Sequence, residues 1–217
     1  MNYIGISNGF HDAGLSIVNN KGDILFAGHS ERYSKIKHDK DLANLLVDDA
    51  TNYLSGDNEI HYYERPLYTM FRQLRAGQPI NFQTTKGRIG KETLKKLGNA
   101  KVFNHAHHLS HAAAGFQTSP YTDATVVVID AIGEMDCISI WNAWYDNDGY
   151  AQYKKLYSKK YPHSIGLFYS AMTERVGLKP LDEEYILMGM AAYGKPVHFN
   201  TIEKTLLENS TTVDFKE

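Results

Sequence analysis

Three short apolar runs at the start of the chain, separated by glycine-containing polar turns, constrain the fold more than any other feature of the sequence. The runs are YIGIS at 3–7, LSIVNN at 15–20 and ILFAGHSE at 24–31, and the turns between them read NGFHDAG and NKGD. Short apolar runs bounded by clusters of Gly, Asn and Asp are typical of strands joined by hairpins. We therefore predict that the chain begins with an antiparallel β-meander.

The rest of the chain alternates between patterns of helices and strands. Predicted helices cover 40–54, 107–116, 164–177, 183–192 and a polar segment near 199–208, and predicted strands cover 59–64, 101–105, 124–130, 137–145 and 150–158. Within 60–100, glycines and many cations give no clear periodicity, so we expect an exposed insertion there with a solvated basic face. Strands first, then helix, strands and helices, argue for an α/β layered domain.

Composition limits the partners that the chain is expected to have. With 217 residues, 42% of them hydrophobic, the chain can bury a core, and its 23 basic and 25 acidic residues nearly cancel. We therefore expect a small-molecule partner rather than nucleic acid. A single cysteine, Cys137, fits a reducing compartment, and the N-terminus lacks a signal-like segment, so we predict a cytoplasmic protein. No apolar run reaches the ~20 residues that span a bilayer, so no membrane partner is expected.

The stretch NHAHHLSHAAAGF at 104–116 contains four histidines followed by alanines. In a helix, side chains at i and i+4 share a face, so His107 and His111 can converge on one ion while His105 and His108 point elsewhere. Two imidazoles suit zinc, iron, nickel or copper, but such a site needs a third ligand. From these residues alone, a metal site and a polar surface both stay open.

Asp130 is a candidate for the third ligand. It ends the apolar run TVVVID and is followed by AIGE, which we expect to be a turn that exposes the carboxylate at the carboxyl end of a strand. Ligands favour that edge in α/β sheets, and two imidazoles with one carboxylate leave coordination positions open. Aspartate also commonly shapes turns, so a purely structural role is the alternative.

Two loops carry groups that suit phosphate. In NGFHDAG, Gly9 and Gly14 permit close backbone approach, and the N–H groups of such a turn can form an anion nest. A plain β-turn is the alternative there. The segment SERYSKIKHD gathers four groups that can contact phosphate oxygens, although a solvated strand end has a similar composition: Arg32, Lys35, Lys37 and His38.

Taken together and in this order, five stretches resemble the O-carbamoyltransferases of nodulation-factor and antibiotic tailoring. They are GISNGFHDAGLSIV, ERYSKIKHD, HHLSHAAAGFQTSP, VVVIDAIGE and SIGLFYSAMTERVGLKPLDEEYILMGMAAYGKP. The resemblance spans nearly the whole chain apart from about 40–100. That family is similar to the tRNA threonylcarbamoyl-transfer proteins. The resemblance implies an α/β fold, an actin/Hsp70-like (ribonuclease H-like) ATPase lobe whose mixed sheet has flanking helices, with two related lobes closing over a nucleotide.

The resemblance also implies an activity and its cofactors. In such enzymes a YrdC-like domain makes carbamoyl adenylate from carbamoyl phosphate and ATP. The actin-like domain, carrying iron, then passes the carbamoyl group to a hydroxyl of a small molecule or nucleotide. The implied function is that of a carbamoyltransferase, and the implied cofactors are Fe(II) or another divalent transition metal together with ATP or carbamoyl adenylate.

Carried over residue by residue, the resemblance assigns roles to ten positions. It implies that His107, His111 and Asp130 are metal ligands, which answers the question that the histidine cluster raises. His11 and Asp12 match an N-terminal HD near the transferred group and are the implied catalytic residues. The implied cofactor-binding positions are Arg32, Lys37, His38, Gly133 and Glu134.

The sequence departs from the family pattern at two positions and is short. Both features bear on whether the chain is an active carbamoyltransferase. Ala131 stands where the family has glycine, and Ile186 stands where it has lysine. We assign 1–217 to the N-terminal lobe, with an insertion at 60–100, and expect the second lobe and the YrdC-like domain to be absent from this chain. A partner chain or a C-terminal half would then be needed for activity. The alternatives are a truncated non-catalytic metal-binding or interaction module and a tRNA threonylcarbamoylation protein.

Overall fold

The computed structural model describes residues 1–80 and 82–216, which divide into Met1–Ser110 (unit 1) and His111–Glu217 (unit 2). The strands are β1 Asn2–Ser7, β2 Gly14–Asn19, β3 Ile24–His29, β4 Asn58–Tyr62, β5 Lys101–Asn104, β6 Asp123–Gly133, β7 Asp136–Tyr145, β8 Ala151–Lys160, β9 Leu207–Asn209 and β10 Asp214–Phe215. The helices are α1 Ser30–Ser34, α2 Asn44–Thr51, α3 Pro66–Arg75, α4 Thr85–Ile89, α5 Lys91–Lys96, α6 His107–Gln117, α7 Ile165–Arg175, α8 Glu184–Ala191 and α9 Phe199–Leu206.

In the described part of unit 1, five strands form one mixed sheet in the order β3-β2-β1-β4-β5. The predicted meander is confirmed, because β1 pairs antiparallel with β2 and β2 pairs antiparallel with β3. The strand predicted at 59–64 is also confirmed as β4, which pairs parallel with both β1 and β5. This is the predicted α/β class, a mixed sheet with flanking helices, in the arrangement of the ribonuclease H-like lobe that the resemblance implies.

One face of this sheet carries the core of unit 1. The register places Ile4 opposite both Ile17 and Ile60, and all three side chains are fully buried. Because side chains in a strand alternate between faces, the residues at i and i+2 on each strand add to the same apolar layer. Leu46 and Val47 of α2 belong to this cluster. The helix α2 therefore covers this face of the sheet.

The segment 60–100 differs from the exposed insertion that the sequence predicts. It begins within β4, which lies between β1 and β5 in the sheet, and Ile89, Leu94 and Leu97 of its last part enter the core cluster. Between them, α3 presents several large apolar side chains to solvent, as expected of an exposed segment. The reason for the difference is length: α4 and α5 have five and six residues. That is too few for an apolar periodicity to be recognised in a window of about 11–18 residues.

Unit 2 contains the antiparallel sheet β6-β7-β8. Burial alternates along β7, where Cys137, Ser139, Trp141 and Ala143 are buried, so one face of the sheet is covered. The order of three antiparallel strands followed by a helix, here α7, is the order with which unit 1 begins. The assignment of all 217 residues to one lobe stays a prediction.

None of the helices in the described residues combines the length and the apolar character that a membrane crossing requires.

Candidate functional site

Asp12 brings together two loops of unit 1 that are far apart in sequence. One carboxylate oxygen, Oδ2, lies 2.7 Å from Nδ1 of His11, and the other, Oδ1, lies 3.0 Å from Nδ1 of His38. The two implied catalytic residues and one of the implied cofactor-binding residues are therefore in contact. All three side chains are at least partly accessible to solvent, as a site that receives a ligand requires.

The backbone explains how these loops meet. Asp12 and His38 both have left-handed conformations, with φ of 50° and 56°, and Asp and His are among the residues that tolerate this region best. The loops are tied by two backbone hydrogen bonds, from the Ala13 N–H to the Asp39 carbonyl and from the Gly9 N–H to the Lys40 carbonyl, both 2.7 Å. This pairing of the loop after β1 with the loop after α1 holds Asp12 against His38.

The charges around Asp12 favour its ionised form. Burial alone would raise the pKa of the Asp12 carboxyl, but the hydrogen bonds with His38 and His11 outweigh it and hold the pKa below its usual value. Glu31 of α1 lies beside the pair, since its Oε2 accepts a hydrogen bond of 3.3 Å from the His38 backbone N–H. Ligand atoms of Asp12, Glu31 and His38 lie within 4.8 Å of one another, so this cluster has the dimensions of a cation site.

The two other implied cofactor-binding residues of this region lie on α1 and in the loop that follows it. Arg32 lies on α1 and lines a shallow surface depression with Ala27, His29 and Tyr33. Lys37 is exposed in the loop that follows α1. Both cations are accessible to an anionic ligand from solvent.

The histidine pair that the sequence singles out lies at the start of α6. His107 and His111 are one turn apart in this helix, which confirms the predicted helical spacing. In unit 1, the rings of Tyr63 and His107 pack edge to face, with their centroids 5.3 Å apart. His105 lies before the helix, where its ring stacks on His61 at 5.1 Å, and burial together with His61 lowers the pKa of His105.

In unit 2, Asp130 lies beside the second histidine of the pair. Its Oδ2 is 3.9 Å from Nε2 of His111, and about a quarter of the Asp130 side chain is exposed. Metal–nitrogen and metal–oxygen bonds of about 2 Å at a tetrahedral angle place two ligand atoms about 3.3 Å apart, so the two side chains would approach by about 0.6 Å to bind one ion. His111 and Asp130 therefore lie close together, and their metal-binding role stays a prediction.

The position of Asp130 in its strand differs from the prediction. β6 continues to Gly133, and the irregularity in its register lies between Ile129 and Gly133, so Asp130 is inside the strand rather than at its end. Its Oδ1 accepts a hydrogen bond of 2.7 Å from the Ala131 N–H. This interruption has the effect that we expected of a turn. It releases the backbone around Asp130 from the regular hydrogen bonding between strands.

The helix that follows the sheet holds this irregular segment in place. Ser164 caps α7 by accepting a hydrogen bond from the Leu167 N–H, and its hydroxyl donates to the Ala131 carbonyl at 2.6 Å. Gly166 comes so close that an added Cβ would lie 2.6 Å from Cα of Ala131. The absence of a side chain at position 166 therefore allows α7 to pack directly on the backbone that carries Asp130.

Gly133 and Glu134, the remaining implied cofactor-binding residues, form the connection between β6 and β7. Gly133 pairs with Asp136, and Glu134 is buried with a φ of 59°. A buried acidic residue in the left-handed region is uncommon. Gly133 and Glu134 therefore have defined backbone positions in the structure. Their role in cofactor binding stays a prediction.

Sequence reasoning missed a buried ion pair close to His107. Glu64 is 7% exposed and pairs with the Arg88 guanidinium of α4, while Oε2 of Glu64 lies 3.7 Å from Nδ1 of His107. Burial raises the pKa of the neighbouring Tyr62 hydroxyl to about 12, although Arg88 acts in the opposite direction. One signal was available, because Glu64 follows β4 by two residues and so lies at the carboxyl end of a parallel strand.

Comparison with known proteins identifies the family of this chain. The sequence profile described as carbamoyltransferase N-terminus matches residues 67–217. The chain therefore belongs to the carbamoyltransferase N-terminus family, which confirms the resemblance seen in the five sequence stretches.

Individual relatives agree with this assignment. An uncharacterized protein of Synechocystis sp. is 32% identical over 94% of this chain and 37% of its own length. The nodulation protein NolNO of Sinorhizobium fredii is 25% identical over 96% of this chain and 32% of its own length. An uncharacterized protein of Methanocaldococcus jannaschii is 27% identical over 88% of this chain and 33% of its own length. The chain thus spans about a third of the length of these curated relatives.

Among solved structures, a ROK family protein of Streptococcus pneumoniae, determined in complex with sucrose, is similar to this chain. The match has a TM-score of 0.44 and 16% sequence identity, and it covers 94% of this chain and 72% of that protein.

Proposed function

We propose that this chain is the N-terminal part of an O-carbamoyltransferase. The reaction transfers a carbamoyl group from carbamoyl phosphate, through carbamoyl adenylate, to a hydroxyl of a small molecule or nucleotide. Membership of the carbamoyltransferase N-terminus family supports the reaction class. The observation that carries the site is the 3.9 Å separation of His111 Nε2 and Asp130 Oδ2, with His107 one turn earlier on the same helix.

The donor set fits a first-row transition metal. His107, His111 and Asp130 would supply two imidazole nitrogens and one carboxylate oxygen, a combination that suits Fe(II) or zinc and leaves positions open for a substrate. When bound, such an ion supplies Lewis-acid polarisation of a phosphoryl or carbamoyl oxygen. Iron is the identity that the resemblance implies.

The cluster around Asp12 supplies the groups for proton transfer. With Nδ1 of His11 held at 2.7 Å by the ionised Asp12, the other ring nitrogen is available to accept the proton of the attacking hydroxyl. The acceptor oxygen then bonds to the carbamoyl carbon, the bond from that carbon to the phosphate oxygen breaks, and AMP leaves. His38, on the second oxygen of Asp12, keeps the carboxylate in place.

Cationic and backbone groups of the chain would hold the donor. Arg32 and Lys37 are accessible cations suited to phosphate oxygens, and the loop at Gly133 and Glu134 presents backbone groups in a constrained turn. These contributions are assigned through the family pattern.

Ala131 and Ile186, which replace a family glycine and a family lysine, slightly favour the non-catalytic module as the alternative. Ala131 does not have a positive φ, so its backbone conformation does not require glycine. We retain the transferase as the leading proposal.

A metal titration tests the proposal. We expect the chain to bind Co²⁺, a spectroscopic substitute for Fe(II), and we expect His107→Ala or His111→Ala to weaken binding by more than about 100-fold. Loss of a direct ligand should exceed the 10- to 100-fold effect that is typical of groups one shell further out. Calorimetry and visible absorption both report the binding.

The matched control is His198→Ala, because His198 is exposed at the start of α9. It should bind Co²⁺ as the wild-type chain does. Equal binding by wild type, His107→Ala and His111→Ala would refute the assignment of these ligands.

A further inference from the structure

Glu64 is a buried carboxylate whose two oxygens have different partners. Oε1 pairs with the Arg88 guanidinium, while Oε2 accepts a hydrogen bond of 3.4 Å from the Thr69 hydroxyl and faces His107. A buried charge is costly unless it is paired and hydrogen-bonded. The Arg88 guanidinium pairs with Oε1 of Glu64, and Oε2 of Glu64 is directed at His107.

The contact with His107 involves one particular ring nitrogen. Nδ1 of His107 lies 3.7 Å from Oε2 of Glu64, and both side chains are at least four-fifths buried. This separation is an ion-pair distance and slightly longer than a hydrogen bond. The ring is bounded on another side by Tyr63, at a centroid distance of 5.3 Å. A shift of about 0.5 Å along the line to Glu64 would close the hydrogen bond.

The contacts of Glu64 hold its carboxylate in place. Oε1 pairs with the Arg88 guanidinium, and Oε2 accepts from the Thr69 hydroxyl. Asn8 fixes the helix that carries the arginine, since its side-chain amide donates to the Arg88 carbonyl at 2.9 Å. The carboxylate is thus a fixed acceptor.

We propose that Glu64 is a positioning residue for the metal site: its carboxylate receives the Nδ1–H of His107 and so leaves Nε2 as the metal-binding atom. Metal-binding histidines commonly donate their other ring N–H to a carboxylate or carbonyl, which fixes the tautomer and the ring orientation. This inference rests on the proposed function, because it needs His107 to be a ligand. It adds a residue that the family pattern did not supply.

Two substitutions separate positioning from a structural role. Glu64→Gln keeps the size of the side chain, but its amide can donate to Nδ1 and so favour the wrong tautomer. Arg88→Lys keeps a cation beside Oε1 and leaves Oε2 unchanged. If Glu64 acts through His107, Glu64→Gln weakens Co²⁺ binding about 10- to 100-fold and shifts the visible spectrum, whereas Arg88→Lys changes the affinity less than about 3-fold.

A measurement without metal keeps the inference distinct from the proposed metal site. Nitrogen-15 NMR of the metal-free chain should find His107 as the Nδ1–H tautomer in wild type and Arg88→Lys, and this preference should be lost in Glu64→Gln. An Nε2–H tautomer in wild type, or equal losses of Co²⁺ affinity in the two variants, would overturn the role of Glu64 alone. Failure of wild type to bind Co²⁺ would instead contradict the metal site, and the role of Glu64 with it.

Discussion

At the scale of single residues, the contact between Gly166 and Ala131 determines how the segment around Asp130 is held. A Cβ at position 166 would lie 2.6 Å from Cα and 2.8 Å from N of Ala131, and these backbone atoms cannot move aside easily. We expect Gly166→Ala to destabilise the chain by about 1–3 kcal/mol, the usual effect of overpacking. The shift of the urea unfolding midpoint measures this.

The control for that substitution is a second glycine within a helix. Gly189 lies in α8, and no heavy atom of the described residues outside its own helix comes within 4 Å of its added Cβ. Gly189→Ala should be neutral or stabilise the chain by up to about 1 kcal/mol, because alanine has the higher helix propensity. If both substitutions had the same sign, the close approach at Ala131 would not be the cause.

Lys37 and Lys95 test which exposed cations contact the donor. Both side chains are exposed, but only Lys37 falls in the family pattern, in the loop next to His38. In the completed enzyme, Lys37→Ala should weaken ATP binding at least about 10-fold, while Lys95→Ala should stay near wild type, since an isolated surface charge contributes little. Calorimetric titration compares them, and equal effects would return the segment 30–39 to a solvated surface.

The sequence predicted the residues of the Asp12 cluster better than it predicted their contacts. The motifs that carry His11 and His38 were recognised separately, and their meeting at Asp12 depends on a contact between positions 26 apart. Glu64 was missed because its partners, Arg88 and His107, are 24 and 43 residues away and no local pattern links them. Local chemistry is readable from a sequence, whereas long-range pairing of side chains is not.

At the scale of elements, the sequence predicted most of the longer strands and helices. It did not predict α1, α3, α4, α5, β9 or β10, nor where β6 ends. The strand was expected to stop at Asp130, yet pairing resumes at Gly133 after an irregular stretch. Bulges and turns are both rich in small and polar residues, so the sequence of this stretch does not distinguish them. Packing of α7 on this stretch selects the bulge, and that contact lies more than thirty residues further along the chain.

The turn between β7 and β8 gives a prediction for acid stability. Asp146 Oδ1 accepts hydrogen bonds from the backbone N–H groups of Tyr150 at 2.9 Å and Asp148 at 3.1 Å. The bond from Tyr150 is the main cause that lowers the pKa of Asp146. A carboxyl with a lowered pKa stabilises the folded chain above its unfolded pKa of about 4, and this contribution is lost as the pH falls through the folded value.

We therefore expect Asp146→Asn to reduce the loss of stability between about pH 5 and about pH 2, because asparagine does not titrate. Urea unfolding midpoints across this interval measure the difference from wild type. Asn147→Ala, in the same turn, replaces a side chain that does not titrate, so it is the control and should keep the wild-type dependence on pH. A curve for Asp146→Asn that is parallel to wild type would contradict the role of this carboxylate.

At the scale of the whole molecule, the two units begin with the same order of elements. Unit 1 starts with β1, β2 and β3 followed by α1, and the strands β6, β7 and β8 of unit 2 are followed by α7. The resemblance implies two related lobes that close over a nucleotide, and positioning between such lobes contributes up to roughly 7–11 kcal/mol to lowering a barrier. Carbamoyl transfer is therefore a property proposed for the complete two-lobe protein.

This gives a prediction for activity. The chain of 217 residues spans about a third of the length of its curated relatives. With radiolabelled carbamoyl phosphate, ATP and a panel of hydroxyl acceptors, we expect it to transfer label only when the remaining part of such a relative is added. His11→Ala in the same mixture should reduce transfer by about 100-fold or more, the usual contribution of a general base. Robust transfer by the chain alone would show that these residues form a self-sufficient site.

The metal site is the central claim, and anomalous diffraction from crystals of the chain grown with Zn²⁺ tests it most directly. We predict an anomalous peak about 2.0–2.2 Å from a ring nitrogen of His107, a ring nitrogen of His111 and a carboxylate oxygen of Asp130. No peak at these atoms, or a peak at Asp12, Glu31 and His38 in its place, would contradict it.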